Sequence, residues 1–113
     1  MSNIIKLFKD DNKPVLFELT NVYMTSGVQR LIAENIINDL DINIMLLKHM
    51  QNVDDNEHQE DIEANQEAIS SGIGRVLSVY ESKGSRLYIN SYIEKVNGKA
   101  AASETMIMLC DEY

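Results

Sequence analysis

The sequence predicts an α+β fold, an antiparallel sheet of about three to five strands with about three helices packed on one face. Three observations predict it. Apolar residues recur at helical spacing through the middle of the chain, they alternate with period two toward its C-terminal end, and turn-forming residues fall between these segments rather than inside them. Helices grouped centrally with strands at both ends favour a sheet that carries its helices on one side. The 113 residues, 44% of them hydrophobic, suffice for one domain over 1–113 with a conventional core, and no interior stretch reads as a linker.

Each element has its own signal. Residues 3–8 and 14–20 flank the polar Lys9-Asp10-Asp11-Asn12-Lys13, which predicts a β-hairpin over 1–20 with Pro14 on an edge, where a missing donor does least harm. The helical part spans 25–72. Thr25 and Ser26 cap a first helix from about Gly27 to Asn38, with Val28, Leu31, Ile32 and Ile36 on one side. Asp41 caps a second helix to about Met50, on which Ile42, Met45, Leu46 and His49 share a face. Residues Glu60 to Ser71 read as a third helix, with Ile62, Asn65, Ala68 and Ile69 inward and Gly72 as its left-handed stop. Antiparallel strands then fill 75–113. Val76, Ser78 and Tyr80 alternate with Leu77 and Val79, and Tyr88, Asn90 and Tyr92 alternate with Leu87, Ile89 and Ile93. Lys83-Gly84-Ser85 and Asn97-Gly98 supply the turns, and Thr105 to Leu109 forms the last strand.

The net charge of −8 is unevenly placed. Residues 1–53 carry six acids and five bases, residues 75–113 carry five of each, and residues 54–74 carry seven acids and no base. Those seven are Asp54, Asp55, Glu57, Glu60, Asp61, Glu63 and Glu67. Such density repels nucleic acid and attracts a basic protein surface, although charge runs also serve simply as solvated faces. Lys6 and Lys9 interrupt any leader-like apolar run, Asp39, Asp41 and Lys48 interrupt the most hydrophobic segment, and Cys110 has no disulfide partner. No membrane contact is expected, and a reducing cytoplasm is the expected setting.

The chemical inventory is thin. Two histidines, one cysteine and no tryptophan make no converging catalytic set, so no enzyme and no catalytic residue is expected. His49 on an apolar helix face reads as a partly buried residue with one hydrogen bond, and Cys110 as a small core residue. Asp54, Asp55, Glu57, His58 and Asp61 invite a hard-cation reading, but the glycine of an EF-hand loop is missing, so neither metal nor cofactor is expected. Gly72-Ile73-Gly74-Arg75 lacks the third glycine and the preceding strand of a phosphate loop. Arg75, Lys83, Arg86, Lys95 and Lys99 with Tyr80, Tyr88 and Tyr92 resemble a base-stacking sheet surface, against which the acidic segment argues.

The order Val22-Tyr23-Met24-Thr25-Ser26-Gly27-Val28, Leu47-Lys48-His49, Glu60-Asp61, Asn65, Ala68, Arg75-Val76-Leu77-Ser78-Val79-Tyr80, Leu87-Tyr88-Ile89 and Thr105 to Tyr113 resembles a family of small plasmid- and phage-borne accessory proteins, largely of unknown activity. The chain departs from that family where the acidic Asn52-Val53-Asp54-Asp55-Asn56 replaces an Asp-Trp-Gly element and where Cys110 replaces a proline. The resemblance implies a setting in mobile DNA. In that pattern Asn65 is expected to bond a loop backbone, Arg75 to pair with Glu60 or Asp61, and Tyr80 to anchor the sheet. Joined to the acidic segment, it points to an inhibitor of a host defence or nucleic-acid enzyme, such as an anti-CRISPR or anti-restriction protein. The expected partner is a basic protein surface on a nuclease or CRISPR effector, and direct nucleic-acid binding is not expected. The alternative is a self-associating structural or regulatory module, possible as a homodimer, for plasmid or phage maintenance.

Overall fold

A computed structural model describes residues 14–53 and 59–113. The class is α+β: among the described residues three helices lie against one face of a five-stranded sheet of order β1-β5-β4-β3, with β2 also on β5. The elements are β1 (Glu18–Leu19), β2 (Val22–Met24), α1 (Ser26–Ala33), α2 (Asp39–Met50), α3 (Gln59–Ser71), β3 (Gly74–Ser82), β4 (Ser85–Val96) and β5 (Lys99–Leu109), followed by a 3₁₀ turn, Cys110–Glu112.

The strands β3, β4 and β5 form the expected antiparallel meander. Its two turns place Lys83-Gly84 and Asn97-Gly98 at positive φ, the geometry that lets a two-residue hairpin follow the twist of its strands. The N-terminal edge corrects the sequence reading. The strand expected over 14–20 shortens to β1, and both β1 and β2 run parallel to β5, so the sheet is mixed. The other half of the expected hairpin, 3–8, lies outside the described residues. A β-bulge in β5 causes the break between β1 and β2: the register shifts at Tyr92/Ile93, and Ser103 is left without a ladder partner. Thr20 donates its hydroxyl to Ala102 O at 2.7 Å, and Asn21 donates from Nδ2 to Ser103 O at 3.1 Å, covering the carbonyls that the bulge exposes.

Helix α2 begins earlier than expected because Asn38, not Asp41, caps it. Asn38 Oδ1 accepts from Asp41 N at 2.9 Å while Asp41 Oδ2 accepts from Asn38 N at 3.0 Å, a reciprocal capping box. Helix α1 stops at Ala33, short of Asn38, since Asn35 turns to φ 59° and ends the helical run. Gly72 at φ 74° ends α3 as expected.

The inner core has two apolar clusters. One gathers Val28, Ile37, Ile42, Met45, Tyr80, Leu87, Ile89 and Ile107 beneath α1 and α2. The other gathers Phe17, Ala68, Ile69, Val76, Ile93 and Ala102 beneath α3. A band of polar side chains runs between them.

Candidate functional site

That band is built around His49, on the inner face of α2 and 0% exposed. Its Nδ1 lies 2.8 Å from Ser78 Oγ on β3, its Nε2 lies 2.8 Å from Ser91 Oγ on β4, and Ser91 Oγ lies 2.6 Å from Thr105 Oγ1 on β5. One helix is thereby tied to three successive strands. The imidazole and the Phe17 ring also meet in a T-shaped arrangement, with ring centroids 5.4 Å apart. Burial disfavours the charged ring and pushes its pKa down to about 3, so His49 is neutral near pH 7, one nitrogen donating and the other accepting.

Serine beside histidine invites comparison with a nucleophile and its base, yet no carboxylate orients this imidazole. Ser78 is 1% exposed and Ser91 and Thr105 are 0%, so no substrate can touch the hydroxyls in this fold. The cluster organises the core. The sequence placed His49 on the core side but anticipated one hydrogen bond; the second comes from β4, 42 residues away.

A second polar assembly protects the sheet edge. Asn65 on α3 donates from Nδ2 to Leu77 O at 2.9 Å and accepts from Leu77 N at 3.1 Å, so its amide takes the place of a further strand beside β3. Asn65 Nδ2 also donates to Asn52 Oδ1 at 3.1 Å, and Asn52 donates to Ile62 O at 3.1 Å, which clamps the start of α3 to the end of α2. Tyr80 donates its hydroxyl to Val53 O at 2.5 Å from a ring that is 1% exposed. The fold-keeping roles expected of Asn65 and Tyr80 hold, with the difference that Asn65 reaches a strand backbone rather than a loop.

The acidic residues divide. Asp54, Asp55 and Glu57 lie outside the described residues, as does His58, and of Glu60 only its place in α3 is described. Asp61, Glu63 and Glu67 are all exposed on α3. Glu63 and Glu67, four residues apart, stand on the side away from the buried Asn65, Ala68 and Ile69, and Asp61 lies in the first turn, where the helix dipole favours a negative charge. Among the described residues no group of three or more His, Cys, Asp or Glu could hold a metal ion.

Two other expectations are corrected, those for Arg75 and Cys110, and the tyrosines of the base-stacking set that the acidic segment argued against do not come together. Arg75 does not pair with Asp61; it projects from the opposite face of the sheet, its guanidinium carbon 5.8 Å from the centre of the Tyr113 ring. Tyr80 does not share a surface with Tyr88 and Tyr92, since the strand places it inward and the other two outward, which divides the proposed base-stacking set. Cys110 is exposed in the 3₁₀ turn rather than buried in β5.

That turn holds a feature with no local sequence signal. Glu112 accepts from the Thr25 hydroxyl at 2.5 Å, from Leu109 N at 2.8 Å and from Gly27 N at 3.2 Å, so a carboxylate 85 residues from Gly27 caps α1 in place of Thr25. The Thr25 hydroxyl and then the Leu109 amide hold the Glu112 carboxyl below the usual carboxylate range. A Cβ at Gly27 would meet Glu112 Oε2 and Leu109 Cδ1 at 2.7 Å each, so a larger residue there would push the carboxylate out of its capping position.

Among the described residues no helix is long and apolar enough to cross a membrane. Comparisons with protein-family models, with curated proteins and with solved structures return no match to this chain.

Proposed function

We propose that this chain is a non-enzymatic, cytoplasmic accessory protein of a phage or plasmid that binds and inhibits a host defence or nucleic-acid enzyme, such as a CRISPR effector or a restriction enzyme, through its acidic segment. The observation that carries the reading is the run of seven acids and no base over 54–74, of which Asp61, Glu63 and Glu67 stand exposed on α3. Glu63 and Glu67 are like charges at i and i+4, a spacing that costs an isolated helix a few tenths of a kcal/mol and that a basic partner surface would turn into attraction. Carboxylates in such a run would occupy a cleft that otherwise takes nucleic-acid phosphates, raising the association rate and fixing orientation.

The test is DNA cleavage by a purified CRISPR nuclease and by a restriction enzyme, with the wild-type chain and with a variant in which Asp54, Asp55, Glu57, Glu60, Asp61, Glu63 and Glu67 become Asn or Gln. Inhibition that fades as salt rises to about 0.5 M, and that the neutral variant lacks, is the expected result. Inhibition unchanged in that variant would sink the charge mechanism. The self-associating module is the second reading, and the exposed aromatic residues of the sheet's outer face favour it.

A further inference from the structure

The face of the sheet turned away from the helices is laid out in rows by the strand register. One row is Arg75, Tyr92 and Glu104, the next is Leu77, Asn90, Met106 and Tyr23, and the third is Val79, Tyr88 and Met108. Tyr92 is 53% exposed and Tyr23 is 47% exposed, and Tyr113, 57% exposed, packs edge-on against Tyr88 with centroids 5.1 Å apart. Exposed large apolar residues clustered on one sheet face, rather than scattered singly, mark an interaction surface. Within it lies Asn90, 6% exposed, whose Oδ1 has no hydrogen-bond partner. A buried polar atom left unpaired costs roughly as much as a lost hydrogen bond, and here it stands in the middle row of the apolar surface.

We infer that this face docks a second copy of the chain, sheet against sheet, about a twofold axis that runs along β4. The register makes the face complementary to itself under that operation, because the axis exchanges β3 and β5 and leaves β4 facing its own copy. Arg75 of one copy then meets Glu104 of the other, and the reverse contact forms as well. Leu77 meets Met106, Val79 meets Met108, and Tyr92 meets Tyr92. Asn90 falls on the axis. The operation sets the two sheets face to face with their strands aligned, about 10 Å apart as in β-sandwiches.

Charge favours a second copy over a strongly charged partner. The chain carries −8 in all, yet this part of the face bears Arg75 and Arg86 against Glu81 and Glu104, so the contact itself carries no net charge. Edge pairing is the less favourable route to a dimer, because Asn65 already occupies the β3 backbone at Leu77 and the opposite edge, among the described residues, consists of strands of two and three residues. Strands of 9 to 12 residues at about 3.3 Å per residue and about 4.8 Å apart give a footprint of roughly 500 Å² per copy. That is below the roughly 800 Å² per partner of a standard interface, which places the dimer among weak, concentration-dependent associations. Both acidic α3 faces point away from this interface, and the inference does not rest on the charge reading of the segment 54–74.

Sedimentation of the full chain from about 1 to 200 µM tests it, a range spanning weak to moderate dissociation constants. Wild type should pass from monomer to dimer. Arg75→Glu and Glu104→Arg should each weaken the dimer by about tenfold, and the double variant Arg75→Glu/Glu104→Arg should return it to within about threefold of wild type, because the exchanged charges meet again across the axis. Both positions are exposed, so circular dichroism should show all variants folded. Tyr92→Asp, also at an exposed position, should abolish association, and the variant neutral over 54–67 should still dimerise. A chain monomeric throughout the range, or a dimer indifferent to Tyr92→Asp and to both charge reversals, would overturn the inference.

Discussion

The two faces of the sheet treat buried polar groups in opposite ways, although the same strands supply both. On the inner face His49, Ser78, Ser91 and Thr105 satisfy one another between two apolar clusters. On the outer face Asn90 is nearly as buried, and its Oδ1 has no partner. The inner face is complete within one chain, as a core must be when every unpaired polar group costs about 1 to 3 kcal/mol. The outer face keeps one unmet hydrogen bond beneath its side chains, a local cost, while its exposed tyrosines are what mark it as a surface for another molecule.

The contrast can be broken most strongly at its inner end. His49→Ala removes the group that Ser78 and Ser91 both bond and leaves a cavity beside Phe17, and it should cost about 4 kcal/mol in denaturant unfolding. Acid attacks the same place. The folded chain keeps His49 neutral down to about pH 3, while the unfolded chain takes up that proton near pH 6.5. Stability from this group is therefore full above pH 6.5 and is lost as pH falls from 6.5 toward 3, with a slope of up to about 1.4 kcal/mol per pH unit. By pH 4.5 the loss should reach about 2 to 3 kcal/mol, read as a fall in the urea midpoint, and a His49→Gln chain should lack that part of the slope.

Asn65→Ala should cost about 2 kcal/mol by stranding Leu77 N–H and C=O at the sheet edge. It should also speed amide exchange at Leu77. The sharpening test lies on the outer face, where Asn90→Leu removes an amide whose oxygen is unsatisfied instead of a fully bonded one. Measured at a concentration where the chain is monomeric, this variant should unfold at higher denaturant than wild type, by about 1 kcal/mol, whereas a core asparagine with full hydrogen bonds would lose stability on the same change. The smallest effect belongs to Glu112→Gln, which retains one acceptor for the Thr25 hydroxyl and should lower the thermal midpoint only slightly.

Much of this fold was legible in the chain because its signals are local. The spacing of Ile42, Met45 and His49, the alternation from Val76 to Tyr80, and the Asn97-Gly98 turn each report a period or a backbone angle that a few neighbouring residues determine. The site was less legible. Cys110 read as core because it follows an apolar strand, yet the strand ends one residue earlier and the chain turns outward. Arg75 read as a partner for Glu60 or Asp61, but period-two alternation sends its side chain to the face opposite α3.

By itself the sequence determined the α+β class, the order of helices and strands from α1 to β5, the concentration of acid over 54–74, and the core-facing side of His49. Only the tertiary structure decided that β1 and β2 run parallel to β5, that Glu112 caps α1, that Asn65 stands in for an edge strand, and that His49 bonds two strands at once. The physical reason is separation along the chain. A helix face or a hairpin turn is settled within about ten residues, whereas Glu18 finds Ala101, Gly27 finds Glu112 and His49 finds Ser91 only after the chain has closed on itself.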